Sequence, residues 1–226
     1  MSDQMLYDSQ INGIGKINGG AFNKVKIDGI GEVSGDITCN AFYCNGKGKV
    51  KGHVLSKSFH VQGMCKVMGK LESLKIRFDG TATIEDGIVS EVVEGNGVLS
   101  LDAGCETEVF QVSGKVDIYG LLNADQVKLE LLAKCRIRDI GGEQIIVKQG
   151  KSKGEIMNKL FSSFMGSPQL IAETIEGDNI SLEYTKAQVV RGNSITLGPG
   201  CEIERVEYKS HLSIDERSRV KQRVMI

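Results

Sequence analysis

The sequence predicts an all-β fold, a parallel β-helix of triangular cross-section wound from rungs of about 17 residues. Three observations carry that prediction. Glycine returns at a fixed step, with Gly29, Gly46, Gly63, Gly80, Gly97 and Gly114 each 17 residues apart. Apolar and polar residues alternate within each repeat. The composition is also rich in glycine, with 28 Gly against 2 Pro and no Trp in 226 residues. A short fixed period marks a solenoid, in which one coil cannot bury its apolar face without neighbours.

The first segment of each repeat begins at the periodic glycine. Four residues on come Ile17, Val33, Val50, Val67, Ile84, Leu101, Ile118 and Cys135. Two residues on come Gly15, Gly31, Gly48, Cys65, Ala82, Leu99, Val116 and Ala133. Lys16, Glu32, Lys49, Lys66, Thr83, Ser100, Asp117 and Lys134 lie between the two rows. Small or apolar residues flanking a polar one give a period of two, the signature of a strand with one face inward.

The second segment carries Ile37, Val54, Leu71 and Ile88 inward, followed two residues later by Cys39, Ser56, Ser73 and Ser90. In the third, Phe42, Phe59, Ile76, Val93 and Phe110 form one inward row, and Cys44, Val61, Phe78, Gly95 and Val112 the next. Tyr43, His60, Arg77 and Glu94 separate these rows and should face solvent. Corner glycines (Gly19, Gly35, Gly52, Gly69 and Gly120) are expected where a tight bend needs φ angles that glycine adopts cheaply. So narrow a core is expected to hold small and β-branched side chains. Eight rungs at the spacing of paired strands would extend on the order of 40 Å.

Three parts follow along the chain: a β-helix over 10–150, an amphipathic helix over 151–167, and further rungs with a C-terminal cap over 168–226. The helix rests on a capping box, Ser152-Lys153-Gly154-Glu155, ahead of apolar residues at helical spacing that include Phe161, Phe164 and Met165. Those three are candidates for a partner or membrane contact. Gly141-Gly142 slips the register before the helix. After Pro168 the β pattern resumes, with Ile180 and Leu182 matching Ile195 and Leu197, then Leu212 and Ile214. Ile203 matches Val220 by the same step.

The remaining chemistry reads quietly. Six cysteines occur without a C-x-x-C pair, in rows otherwise filled by small apolar residues, and are expected to be buried reduced thiols. His53, His60 and His211 do not form the cluster that a zinc site or a histidine base would need, so no catalytic residue, cofactor or metal is expected. Gly-x-Gly runs such as Gly29-Ile30-Gly31 recur with the rung and lack the helix that makes a phosphate loop. A net charge of −1 gives no field for nucleic acid. The first ten residues are polar and no apolar run is long enough to span a bilayer, so a cytoplasmic protein is expected. Eight basic residues fall between Lys47 and Arg77, and eight acidic residues between Asp79 and Glu108. Lateral contact between such bands on staggered molecules would join them.

The pattern Gly-x-Gly-x-Val-x-Gly-x-Ile/Val, at Gly29 to Ile37 and again at Gly46 to Val54, resembles the bactofilins. The resemblance covers residues 11–147 and, more loosely, 170–226. It implies a right-handed coil and a non-enzymatic bacterial cytoskeletal scaffold that polymerises end to end without nucleotide. It also implies partners that are copies of itself, related bactofilins or a membrane-associated complex, at the inner face of the membrane. An uncapped terminal rung leaves backbone groups unpaired and the core open, so like rungs pair across molecules. Ile11, Ile14 and Ile17 at one end and Leu212, Ile214 and Val220 at the other are the candidate contacts. Two other readings remain: a β-helical acyltransferase or carbonic anhydrase working as a trimer, and a capped monomeric adaptor.

Overall fold

The computed structural model describes residues 6–150 and 167–226. The helix expected at 151–167, with Phe161, Phe164 and Met165, lies outside the described residues apart from Ser167. Among the described residues every regular element is a strand, and the paired strands run parallel at near 17-residue spacing, a β-solenoid. The chain divides into two compact units, Met1–Ala103 and Gly104–Ile226.

The first unit holds β1 (Asp8–Ile11), β2 (Ile14–Ile27), β3 (Ile30–Cys44), β4 (Lys47–Val50), β5 (Val54–Val61), β6 (Met64–Val67), β7 (Leu71–Phe78), β8 (Thr81–Ile84) and β9 (Ile88–Leu101). Three ladders run through it. The first joins Ile17, Val33, Val50, Val67 and Ile84. The second joins Ile37, Val54, Leu71 and Ile88. The third joins Ile11, Ile27, Cys44, Val61 and Phe78. These are the rows that the alternation separates, and from Val33 on their inward members are at most 2% exposed. Removing each such side chain from water contributes about 1.5–3 kcal/mol before the entropy of ordering is set against it.

Backbone contact between rungs explains the 17-residue glycine from Gly29 to Gly80, while Gly97 and Gly114 also have left-handed φ, 143° and 151°. A Cβ on Gly46, Gly63 or Gly80 would fall on the carbonyl oxygen of the glycine one rung below. Stacking distance, not an unusual φ, therefore selects glycine there. The second glycine row is corrected in the same way. Of Gly19, Gly35, Gly52, Gly69 and Gly120, only Gly35 has a left-handed φ, 108°. Gly19, Gly52 and Gly69 are instead pressed against the backbone of an adjacent rung.

The core also admits more than small side chains. Phe42, Phe59, Phe78 and Phe110 are among the largest fully buried groups. Phe42 stacks on Phe59 with ring centroids 4.8 Å apart and 10° between planes. Phe78 fits because the residue above it is Gly95, whose Cβ would lie 2.7 Å from the ring.

The second unit holds β10 (Cys105–Leu131), β11 (Lys134–Gln149), β12 (Gln169–Leu182), β13 (Thr185–Leu197), β14 (Glu202–Ile214) and β15 (Arg219–Met225). Its rungs are less uniform. Between β10 and β11, Ile118 pairs with Ile137, not Cys135, and the register then shifts again between Ile118 and Leu121. The slip at Gly141-Gly142 belongs to this longer rung. Cys135 pairs directly with Leu170, and Val147 with Leu182, so β12 continues the ladders of β11 across the segment that separates them in sequence. The matches of Ile180 with Ile195, Ile195 with Leu212 and Ile203 with Val220 all occur as paired residues.

Candidate assembly surfaces at the terminal rungs

The first rung of unit 1 is built in steps. β1 supplies the third segment and covers Lys24 to Ile27. Among the described residues nothing pairs on the outer side of Ile14 to Ile17 or of Gly20 to Phe22. The inward columns there end in Gly15 and Ile17, then Gly20 and Phe22, because their partners are Gly31 and Val33, then Ile37 and Cys39. Ile17 and Phe22 are half-buried, whereas Val33 is 0% and Cys39 6% exposed. No inward position of this rung is charged.

The sequence-selected residues separate at this end. Ile11 is buried at 6% exposure, over Ile27. Ile17 terminates an inward column. Ile14 lies in the other parity, in the column of Ile30 and Lys47, and is 87% exposed on the outer face. Its row continues to Met64, so Ile14, Ile30 and Met64 are exposed apolar groups beside Lys47, Lys49 and Lys66.

The last rung of unit 2 has the opposite step. β15 covers the first two segments of β14, Glu202 to Tyr208, and among the described residues no strand lies above His211 to Ile214. Leu212, Ile214 and Val220 are half-buried, as residues at the end of inward columns must be. From sequence Arg223 falls in the basic C-terminal tail, Arg217 to Arg223, that could cap the end. It stands in register with Val206, and below that with Val190, Ile175 and Ile140, all at most 2% exposed. Strict alternation from Val220 would place Gln222 and Val224 inward; Arg223 joins the column because a corner breaks the alternation between Ile203 and Val206 in the rung below.

Charge on both units is largely paired from rung to rung. Lys16 and Lys51 hold Glu32 from below and above at 3.1 and 2.9 Å, and the two ammonium groups keep its carboxyl at about 2. Lys66 meets Glu85 at 2.7 Å and Lys75 meets Glu94 at 2.9 Å. Some of the charges of the basic and acidic bands thus pair with each other inside one molecule. In unit 2, Arg191 bridges Glu176 and Glu207 at 3.1 and 2.6 Å, and Arg191 ahead of Arg205 lowers the Glu207 carboxyl.

The six cysteines are free and buried. Burial pushes the Cys105 thiol up to about 12 and those of Cys39 and Cys135 to about 11. His53 accepts the Lys70 N–H at 2.9 Å on Nδ1, while its own N–H donates to Asp36 at 2.8 Å, a corner ladder. The His60 ring tilts against Tyr43, with centroids 6.0 Å apart, and its Nε2 is 3.8 Å from Asp79. Among the described residues no group of three His, Cys, Asp or Glu is placed to hold a metal ion. No helix among them is long and apolar enough to cross a membrane.

Two curated proteins of Bacillus subtilis (strain 168) are similar to part of the chain. The uncharacterized protein YhbF is 39% identical over 108 residues, 47% of this chain and 42% of YhbF. The uncharacterized protein YhbE is 42% identical over 104 residues, 46% of this chain and 42% of YhbE. The chain thus matches about two fifths of the length of each of these relatives. No family profile and no solved structure matches it.

Proposed function

We propose that this chain is a non-enzymatic scaffold of the bactofilin kind that self-assembles, without nucleotide, through the terminal rungs of its solenoid. The observation that carries the reading is the uncovered first rung of unit 1. Ile17 and Phe22 end inward columns whose next members are buried, and the strand edges beside them have no partner among the described residues. A second copy pairing there would bury these side chains and satisfy the open backbone groups together. The repeat Gly-x-Gly-x-Val-x-Gly supports the same reading. Copies of itself, related bactofilins or a membrane-associated complex are the partners that follow, with a place in the cytoplasm or at the inner face of the membrane.

The test is the mass of the purified chain by light scattering over a wide concentration range, with negative-stain electron microscopy, in the absence of nucleotide. Association is expected, and Ile17→Lys should return a folded monomer. A wild-type chain that stays monomeric at every concentration would overturn the scaffold reading and favour the capped adaptor.

A further inference from the structure

We infer that Arg223 closes the β15 end to a second copy, so that copies associate through the Ile17–Phe22 rung of unit 1 alone. This rests on the scaffold reading and decides which end does the work.

The two terminal rungs differ in one respect that matters for stacking. At the first rung of unit 1 the inward positions are Gly15, Ile17, Gly20 and Phe22, with Ser9 and Ile11 on β1. Each is neutral, and none brings a buried charge to a rung placed against it. At β15 the inward column of Ile140, Ile175, Val190 and Val206 ends in Arg223. A rung laid on β15 would have to enclose that guanidinium or force the long side chain out between the two rungs.

An enclosed charge needs a partner charge and filled hydrogen bonds, or the contact loses more by desolvation than it gains. Among the described residues no ion pair reaches Arg223, and its side chain is exposed. Its rung-mates add to the problem: Arg219 and Lys221 are also exposed cations, and only Lys221 is paired, with Glu204 at 2.8 Å. A copy presenting its first rung to β15 would bring neutral Gly20 and Phe22 toward the second segment, and no carboxylate in an inward position. A copy presenting its own β15 would bring a second arginine. An inward-pointing charge on an edge strand is a known device against edge-to-edge pairing. The position is what counts: Arg219 is on the same rung with the same charge but outside the core columns, since its ladder partner is exposed Glu202.

The experiment compares wild type, Arg223→Val and Arg219→Val by light scattering and negative-stain microscopy. Wild type should stop at twice the monomer mass. Arg223→Val should grow into assemblies of many copies, because the β15 end now carries an apolar column. Arg219→Val should stay at twice the monomer mass, which separates the column from the loss of a charge. Far-ultraviolet circular dichroism on all three checks that the fold is kept. Adding Ile17→Lys to Arg223→Val should remove the unit 1 contact and cut the assemblies back.

Wild-type filaments would overturn this inference and leave the scaffold reading standing, as would Arg223→Val remaining at twice the monomer mass. Monomers of wild type and of Arg223→Val at every concentration would overturn both. A dimer that Ile17→Lys does not dissociate would also overturn it, by placing the contact elsewhere.

Discussion

Gly46 lies directly over Gly29, so close that a Cβ on Gly46 would collide with the Gly29 carbonyl oxygen. The same contact recurs with Gly63 over Gly46 and Gly80 over Gly63. Lys47 donates its N–H to the Gly29 oxygen at 2.8 Å in this corner, and Met64 does the same to Gly46. The glycines thus let a corner close tightly enough for the hydrogen bond beside it to form.

Gly46→Ala should therefore destabilise the first unit by about 1–3 kcal/mol, the range for forcing an extra methyl into a packed site. Gly13→Ala is the control, because a Cβ there meets nothing within 4 Å. Thermal unfolding followed by circular dichroism reads the difference. Equal melting temperatures for the two variants would refute the contact as the reason for the period.

The phenylalanine stack should matter more. Phe59 is 1% exposed, lies on Phe42 with centroids 4.8 Å apart, and has Ile76 paired above it. Phe59→Ala leaves a hole that the neighbouring rungs cannot collapse into, since each is pinned by its ladders. A loss of about 3–5 kcal/mol is expected. Chemical denaturation that shows less than about 1 kcal/mol would mean that the column is loosely packed.

Acid should weaken the fold through Glu32 and Asp215. Lys51 and Lys16 hold Glu32 at about 2, and Arg217 holds Asp215 at about 2. Both folded values lie below the usual carboxylate range of about 4. Their stabilising effect is therefore complete above that range and is lost as pH falls from about 4.5 toward 2. Both carboxylates remain open to solvent, with side chains 29% and 26% exposed, so the effect is modest and shrinks with added salt. Melting temperatures measured between pH 6 and pH 2.5 should drop in wild type. Glu32→Gln should flatten part of that drop, and an unchanged slope would count against the pairing.

The thiols should be inert until the protein opens. Cys105 is 2% exposed and raised to about 12, so neither access nor thiolate is available near neutral pH. A thiol reagent such as dithionitrobenzoate should find no fast-reacting cysteine in the native chain and six in denaturant. A stoichiometric fast reaction in native buffer would show that one of the buried rows breathes.

How far the sequence could be read depended on which signal each feature left. Alternation of two gave the inward rows from Ile17 to Ile84 and from Phe42 to Val93, and these are the columns found. The same alternation cannot detect a slip of two residues, because a two-residue step preserves which side chains face in. That is why Cys135 matches Ile118 by pattern, while its partner is Ile137, two residues further on. Parity also classifies Ile14 as outward, although its position at the start of the chain suggested an end contact. Arg223 was not legible by parity: counted from Val220 the inward set is Gln222 and Val224, and only the corner between Ile203 and Val206 one rung below brings Arg223 into a core column, so from sequence it is simply part of the basic C-terminal tail.

By itself the sequence determined which side chains face the core and that the chain coils with a repeat near 17, because pleating and burial act residue by residue and leave their period in the order of the amino acids. The tertiary structure decided how consecutive turns register, why glycine is needed at the corners, and which columns end in an apolar group and which in a charge. Those depend on atoms a full turn apart in sequence, such as Gly29 below Gly46 and Val206 below Arg223, and contact at that separation is set by how the rungs stack.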